Sequence, residues 1–245
     1  MLEGLYAAAA GMSAQQEQMD SIGNDLANIS TTGYRAERVG FQDLLYNQVN
    51  QAGTSTTTGA GARAQTVGWD PTQGSLQQTG QPLDLAIQGE GFFQIKQPNG
   101  TTALTRDGSF TTDAQGNVVT SAGAFLDPPV KLPSGVSPSE VNIASDGTVR
   151  AGTRSLGQIK LVTVPSPDHL LADGSGAFTP TAGSGAVQVA SGATIHQGEL
   201  EGSNVNMATE MTTMVSTQRN YQLASTAIQT QDQMLGIANQ LVSPS

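Results

Sequence analysis

Apolar residues recur at heptad spacing at both ends of this chain and alternate with polar ones in between. Counting sevens from Leu5 gives Leu5, Met12, Met19 and Leu26, with Ala8, Gln15, Ile22 and Ile29 three residues further on. The same count from Met207 gives Met207, Met214, Tyr221, Ile228, Leu235 and Val242, with Met211, Ala224 and Ala238 on the second line. This pattern predicts two helices, over about 1–29 and 206–241, whose seams meet other helices. Both stripes are narrow compared with the apolar face of a helix lying on its own globular core. The first helix is expected to stop where Ser30, Thr31 and Thr32 follow Asn28, with Gly33 supplying a residue suited to positive φ.

Neither helix is built to stand alone. Gly11 and Gly23 fall inside the first, each costing about 1 kcal/mol relative to alanine. Its charges are Glu3, Glu17, Asp20 and Asp25, and the first basic residue of the chain is Arg35. The second carries Glu210 and Asp232 against Arg219 alone, so salt bridges do not hold the pair together. Helices this marginal gain their stability from packing, and the ends are expected to fold on partners.

Between them the texture is that of short strands and tight turns. Leu83 to Gln88 alternates, and the run from Gly91 to Phe110 reads as strand, Asn99-Gly100 turn, strand, Asp107-Gly108 turn. Similar punctuation recurs at Gly116-Asn117, Asp146-Gly147 and Asp173-Gly174, and Gly157 to Val164 reads as a further strand. The expected fold class is α+β: terminal α-helices forming a coiled-coil-like pair that encloses an antiparallel β-rich middle domain. The expected divisions are a terminal helical domain of 1–30 and 204–245, a connecting segment 31–73 with a flexible or hairpin loop, and a β domain 74–203.

Composition narrows the function. Only 12% of the 245 residues are charged, against about 25% in an ordinary soluble domain. The net charge is −10 and the ten basic residues are scattered, which argues against a nucleic-acid partner. Cysteine is absent, removing disulfides and thiolate chemistry. The apolar run from Leu5 to Met12 follows Glu3 and no base, unlike a secretory signal, and is far short of the roughly 18 residues that a membrane span requires. His169 and His196 have no second ligand at useful spacing, and Asp113–Asn117 reads as a β-turn rather than a calcium loop. Asp84 and Glu90 are the nearest approach to a catalytic acid pair, with two solvated strand-end acids the favoured reading. No catalytic, cofactor or metal residues are expected.

Three motifs then carry a resemblance that covers almost the whole chain. "NDLANISTTGYR", "LDLAIQGEGFFQI" followed by "TRDGSF", and "GSNVNMATEMTTMVSTQRNYQLASTAIQTQDQML" stand in the order found in the bacterial flagellar axial proteins. Within these the chain resembles the rod proteins of the basal body, in the distal-rod branch or its close proximal-rod paralogue. The resemblance implies a non-enzymatic subunit that is exported through the flagellar type III apparatus without a cleaved signal. It would then polymerise into a helical drive shaft outside the cytoplasmic membrane, among neighbouring rod and hook subunits. It also implies that Leu5, Met12, Met19, Ile22, Leu26, Ile29, Met207, Met211, Met214, Tyr221, Ile228 and Leu235 form subunit interfaces, and that Gly33 turns the chain outward. The alternatives from other classes are a secreted β-rich binding module with helical oligomerisation ends, and a cell-wall hydrolase using Asp84 and Glu90.

Overall fold

The computed structural model of the protein describes residues 2–44, 47–51, 54–59 and 61–242. The chain divides into two compact units. Unit 1 gathers residues 1–26, 37–67 and 206–245, and unit 2 gathers 27–36 and 68–205. The segment expected to be a connector, 31–73, is thus shared between the units.

Unit 1 holds the two helices, α1 (Leu2–Ala27) and α2 (Met207–Val242). They run antiparallel: Gly4 approaches the side chain of Gln231, and Glu210 lies in the field of Asp25 at the opposite end of the pair. Asn206 caps α2, its Oδ1 accepting from the N–H of Ala208 at 3.0 Å and of Thr209 at 3.2 Å. The threonines of α2 return their hydroxyl protons to the preceding turn, as Thr212 does to Ala208 and Thr230 to Thr226. A helix so rich in threonine therefore leaves few hydroxyls for tertiary contacts. The rest of the unit is ribbon. Glu37–Asp43 pairs with Ala62–Trp69, and Asn47–Gln51 forms an antiparallel hairpin with Thr54–Thr58, so the expected loop is a hairpin. Gly61 lies on α1, where a Cβ would sit 3.0 Å from Ala7 and Ala10.

The helix stop differs from the expected one. Helix α1 ends at Ala27, and the turn that follows is closed by the N–H of Thr31 donating to the carbonyl of Asn28 at 3.0 Å. Ile29 therefore lies outside the helix. Gly33 does take positive φ, at +66°, but beyond the helix end, where a Cβ would stand 2.5 Å from the backbone of Arg106 and Asp107. Close approach within unit 2 is what demands glycine there.

Unit 2 is the β domain, and its strand pairings are antiparallel. A nine-stranded sheet runs from Leu171–Ala172 through Ala177–Thr179, Thr102–Thr105, Phe92–Lys96, Phe125–Leu126 and Val118–Thr120 to Phe110–Thr112. Leu161–Thr163 joins it alongside Phe92–Lys96, with Gln188–Val189 beyond. A three-stranded sheet (Val141–Ile143, Thr148–Ala151, Arg154–Gln158) and two strand pairs complete the unit. Alternation along these short strands sends Leu85, Ile87, Phe93, Leu126, Val149 and Ile195 into one core. A smaller cluster of Leu104, Val162 and Phe178 is flanked by Trp69 and Phe92.

Two local expectations change. The Asn99-Gly100 turn is a hairpin turn as read, with Gly100 at φ +85°. Asp107-Gly108 is not: Gly108 is needed because a Cβ would fall 1.6 Å from the carbonyl oxygen of Leu85. The expected strand from Gly157 to Val164 is broken at Ile159 and Lys160, where the chain leaves the three-stranded sheet for the nine-stranded one. Ile159 is buried in the core at that corner.

Candidate functional site: helical seams and a buried ion-pair hub

On α2 the half-buried positions include Glu210, Met214, Tyr221, Ala224, Ile228, Gln231 and Leu235, with Thr213 and Ser225 beside that line and Thr217 fully buried. Steps of three and four separate them, as in an a/d seam. Met207 and Met211 lie off this seam, at 53% and 56% exposure. They begin a second row, Met207, Met211, Val215 and Leu223, spaced at i, i+4 with Arg219 in the same line and all exposed. Helix α2 thus carries a second, exposed row of apolar side chains that winds away from the seam. On α1, Ile22 is buried at 4% exposure, while Leu5, Met12, Met19 and Leu26, like Ile29 beyond it, are only half-buried. Its most enclosed positions include Ala14, Ser21 and Asp25, so the apolar line is rotated off the inner face.

Partial burial, and then the charge of Asp25, push the Glu210 carboxyl above the usual carboxylate range. Asp25 itself is 2% exposed and accepts from the N–H of Glu37 at 3.2 Å.

Unit 2 buries its charge differently. Glu201, 1% exposed, closes the strand pair Glu199–Glu201 with Leu76–Gln78. Its Oε1 accepts from Arg35 Nη2 at 3.0 Å and from the Gly74 N–H at 3.1 Å, while Oε2 accepts from Arg106 Nη1 at 3.0 Å. Arg35 spends its other donors on the carbonyls of Pro71 (2.6 Å) and Thr72. Arg106 donates to the Gly89 carbonyl at 2.8 Å and lies over the Phe92 ring at 5.4 Å. The Nε of Arg106 is buried and has no hydrogen-bond partner among the described residues. Burial draws both guanidinium pKa values down from the ordinary one, and Glu201 opposes that shift. Glycine makes the packing possible: a Cβ at Gly74 would fall 1.9 Å from the Gly202 carbonyl oxygen. Asn204 adds a second tie, accepting from the Ala36 N–H at 2.8 Å and donating to the Thr72 carbonyl at 3.0 Å.

The residue pattern did not point to this hub, although Arg35 and Arg106 stand in quoted motifs, "STTGYR" and "TRDGSF", and Glu201 just before a third, "GSNV". The available signal was the rarity of charge, which makes an ion inside a strand-and-turn motif conspicuous.

The remaining candidates hold structure. Asp113 Oδ1 accepts from the N–H groups of Gln115 and Asn117, closing a turn, and the Asn117 side chain lowers its pKa. Asp84 accepts from Thr79 Oγ1 at 2.5 Å, Glu90 lies in the field of Arg106, and His196 bonds Gln88 at 2.8 Å. Among the described residues no group of three or more His, Cys, Asp or Glu is placed to hold a metal, and no helix is long and apolar enough to cross a membrane.

Residues 5–35 match the flagella basal body rod protein family, 86–151 the D1 domain of the flagellar hook proteins FlgE/F/G, and 196–241 the C-terminal region of the flagellar basal body rod proteins FlgEFG. The chain is 40% identical to the flagellar basal-body rod protein FlgG of Borreliella burgdorferi, over 98% of this chain and 99% of that one. It is 36% identical to the FlgG of Caulobacter vibrioides over 99% and 100% of the two chains, and 34% identical to the FlgF of the same organism over 89% of each. The α+β chain with its two terminal helices belongs to the flagellar basal-body rod protein family, whose members are structural subunits of the flagellum rather than enzymes.

Proposed function

We propose that this chain is a distal-rod subunit that polymerises head-to-tail through its terminal helices into a helical shaft carrying torque from motor to hook. The observation that carries the reading is the second apolar row of α2. An apolar row outside a helix's own seam gains by being covered, yet Met207, Met211, Val215 and Leu223 are exposed in the single chain. A second copy of the chain, and at the shaft's ends other rod and hook subunits, would cover them. A contact between unlike faces whose rotation does not close builds a helical filament. Export through the type III apparatus without a cleaved signal follows from the family resemblance, and marginal helices suit passage in an unfolded state.

The distal assignment is supported by the near-complete coverage of the FlgG relatives, against 89% for the Caulobacter FlgF. The proximal-rod paralogue is the second reading. Its support is the length of this chain: 245 residues aligned over 262 positions with the Borreliella FlgG leave stretches of that relative without a counterpart. The test is complementation of a strain lacking its own distal-rod gene. Wild type should restore rods and swimming, and Val215→Asp and Leu223→Asp should restore neither while the purified variants keep the β unit's cooperative melt. Swimming restored by either variant would remove the second row from the interface. Rescue of a proximal-rod deletion alone would favour the paralogue.

A further inference from the structure

The chain passes between the two units at 26/27, 36/37, 67/68 and 205/206. Inside unit 2, the stretches next to three of these crossings, 36/37, 67/68 and 205/206, are bonded to one another. The Gly33 N–H donates to the Glu201 carbonyl at 2.8 Å, the Asp70 N–H to the Ala36 carbonyl at 2.8 Å, and the Asn204 N–H to the Tyr34 carbonyl at 3.3 Å. Arg35 reaches the carbonyls of Pro71 and Thr72, and Asn204 ties Ala36 to Thr72. At the centre the Glu201 carboxylate takes both arginines and the Gly74 N–H.

We propose that this hub is a latch that orders the connectors at 36/37, 67/68 and 205/206 in the free subunit, before any partner is met. The β unit then presents its helix-bearing ends from a closed base. Pairing of α1 with α2 no longer bears the entropy of closing the whole β unit as a loop. The latch also sets where order stops in the monomer: at the edges of unit 2 rather than at the last β-strand. A buried carboxylate shared by two guanidiniums suits this role, because opening any one connector leaves a buried charge short of a partner. Hydrophobic packing alone would tolerate such an opening more easily.

Trypsin reads the latch directly. Arg35 is buried in the hub, whereas its near neighbour Arg38 belongs to unit 1 and is exposed. In dilute full-length protein, cleavage after Arg38 should be fast and cleavage after Arg35 slow, followed by mass spectrometry at early times. Glu201→Gln should accelerate the Arg35 cut by about tenfold or more relative to the Arg38 cut, since proteolysis tracks the opened population. Asn204→Ala leaves the ion pairs in place and should do the same to a smaller degree, which keeps the test decisive if Glu201→Gln does not fold. Equal rates at Arg35 and Arg38 in wild type would overturn the latch, as would an unchanged Arg35 rate in both variants. A second readout rests on the rod reading: the critical concentration for polymerisation should rise in Asn204→Ala. Failure of wild type to polymerise would count against that reading, with the cleavage ratio still deciding the latch.

Discussion

Two glutamates close together in sequence divide the molecule. Glu201 is enclosed in the β unit between two arginines and a backbone N–H, with both carboxylate oxygens occupied. Glu210, on the first turn of α2, is half-buried and in the field of another acid, Asp25. The first is paired with opposite charge and the second faces like charge. The same contrast holds for apolar groups: Phe93, Leu104 and Ile87 are wholly buried, while Met211, Val215 and Leu223 are exposed on α2. The β unit encloses its apolar groups and pairs most of its buried charge, and α2 leaves part of its apolar surface exposed; the proposed rod contact would cover that surface.

The contrast is most easily broken at the core. Phe93 is fully buried and meets Phe110 edge-on at 5.3 Å. Phe93→Ala should cost the β unit about 3–5 kcal/mol in chemical denaturation followed through Trp69. Glu201→Ala should cost about the same, about 3–5 kcal/mol, because it strands two buried guanidiniums. Glu210→Ala removes a like-charge contact and should leave the helix pair at least as stable. Equal losses from the two glutamate variants would erase the distinction drawn between the units.

Smaller effects sharpen it. Gly108→Ala forces a methyl against the Leu85 carbonyl and should cost about 1–3 kcal/mol, with the far hairpin at 141–151 unaffected in hydrogen exchange. Leu223→Asp, on the exposed row, should change monomer stability by no more than about 0.5 kcal/mol while stopping polymerisation.

The smallest effect is a divergence with pH. The Glu210 pKa is raised in the folded chain, so the helix pair binds that proton more tightly than the unfolded chain does. Its contribution is complete below the ordinary carboxylate value and is lost as pH rises through the raised one. Asp113 and Asp146 are lowered by hydrogen bonds to Asn117 and Thr148, so their contribution to the β unit is lost as pH falls through their folded values. Acidification from about pH 7 to about pH 4 should therefore favour the helices relative to the β unit. Far-ultraviolet dichroism for the helices and Trp69 fluorescence for the β unit would separate the two trends.

Periodicity made the elements legible where one physical signal dominated. The heptads located both helices, and the Asn99-Gly100 turn located its hairpin. What stayed hidden was tertiary. Gly33 read as a helix stop because a glycine after Ser and Thr usually is one; only the fold reveals the Arg106 backbone packed against it. Gly108 read as a turn for the same reason. The Gly157 to Val164 strand is divided by a change of sheet that no local pattern marks. Met207 and Met211 fit the seam by their spacing, but an i, i+4 row that winds away from a seam starts beside it, so a count by sevens does not separate the two. The hub joins residues far apart in sequence, and its only trace is the presence of ions where ions are scarce.

The central claim is that the ends are assembly elements and the β unit is complete without them. Circular dichroism of the full-length protein over rising concentration, alongside sedimentation and electron microscopy, tests this most directly. The account predicts modest helix in the dilute monomer, a constant β signal, and a gain of helix that tracks the appearance of rods or fibres. A strongly helical, stable monomer that never polymerises would contradict it.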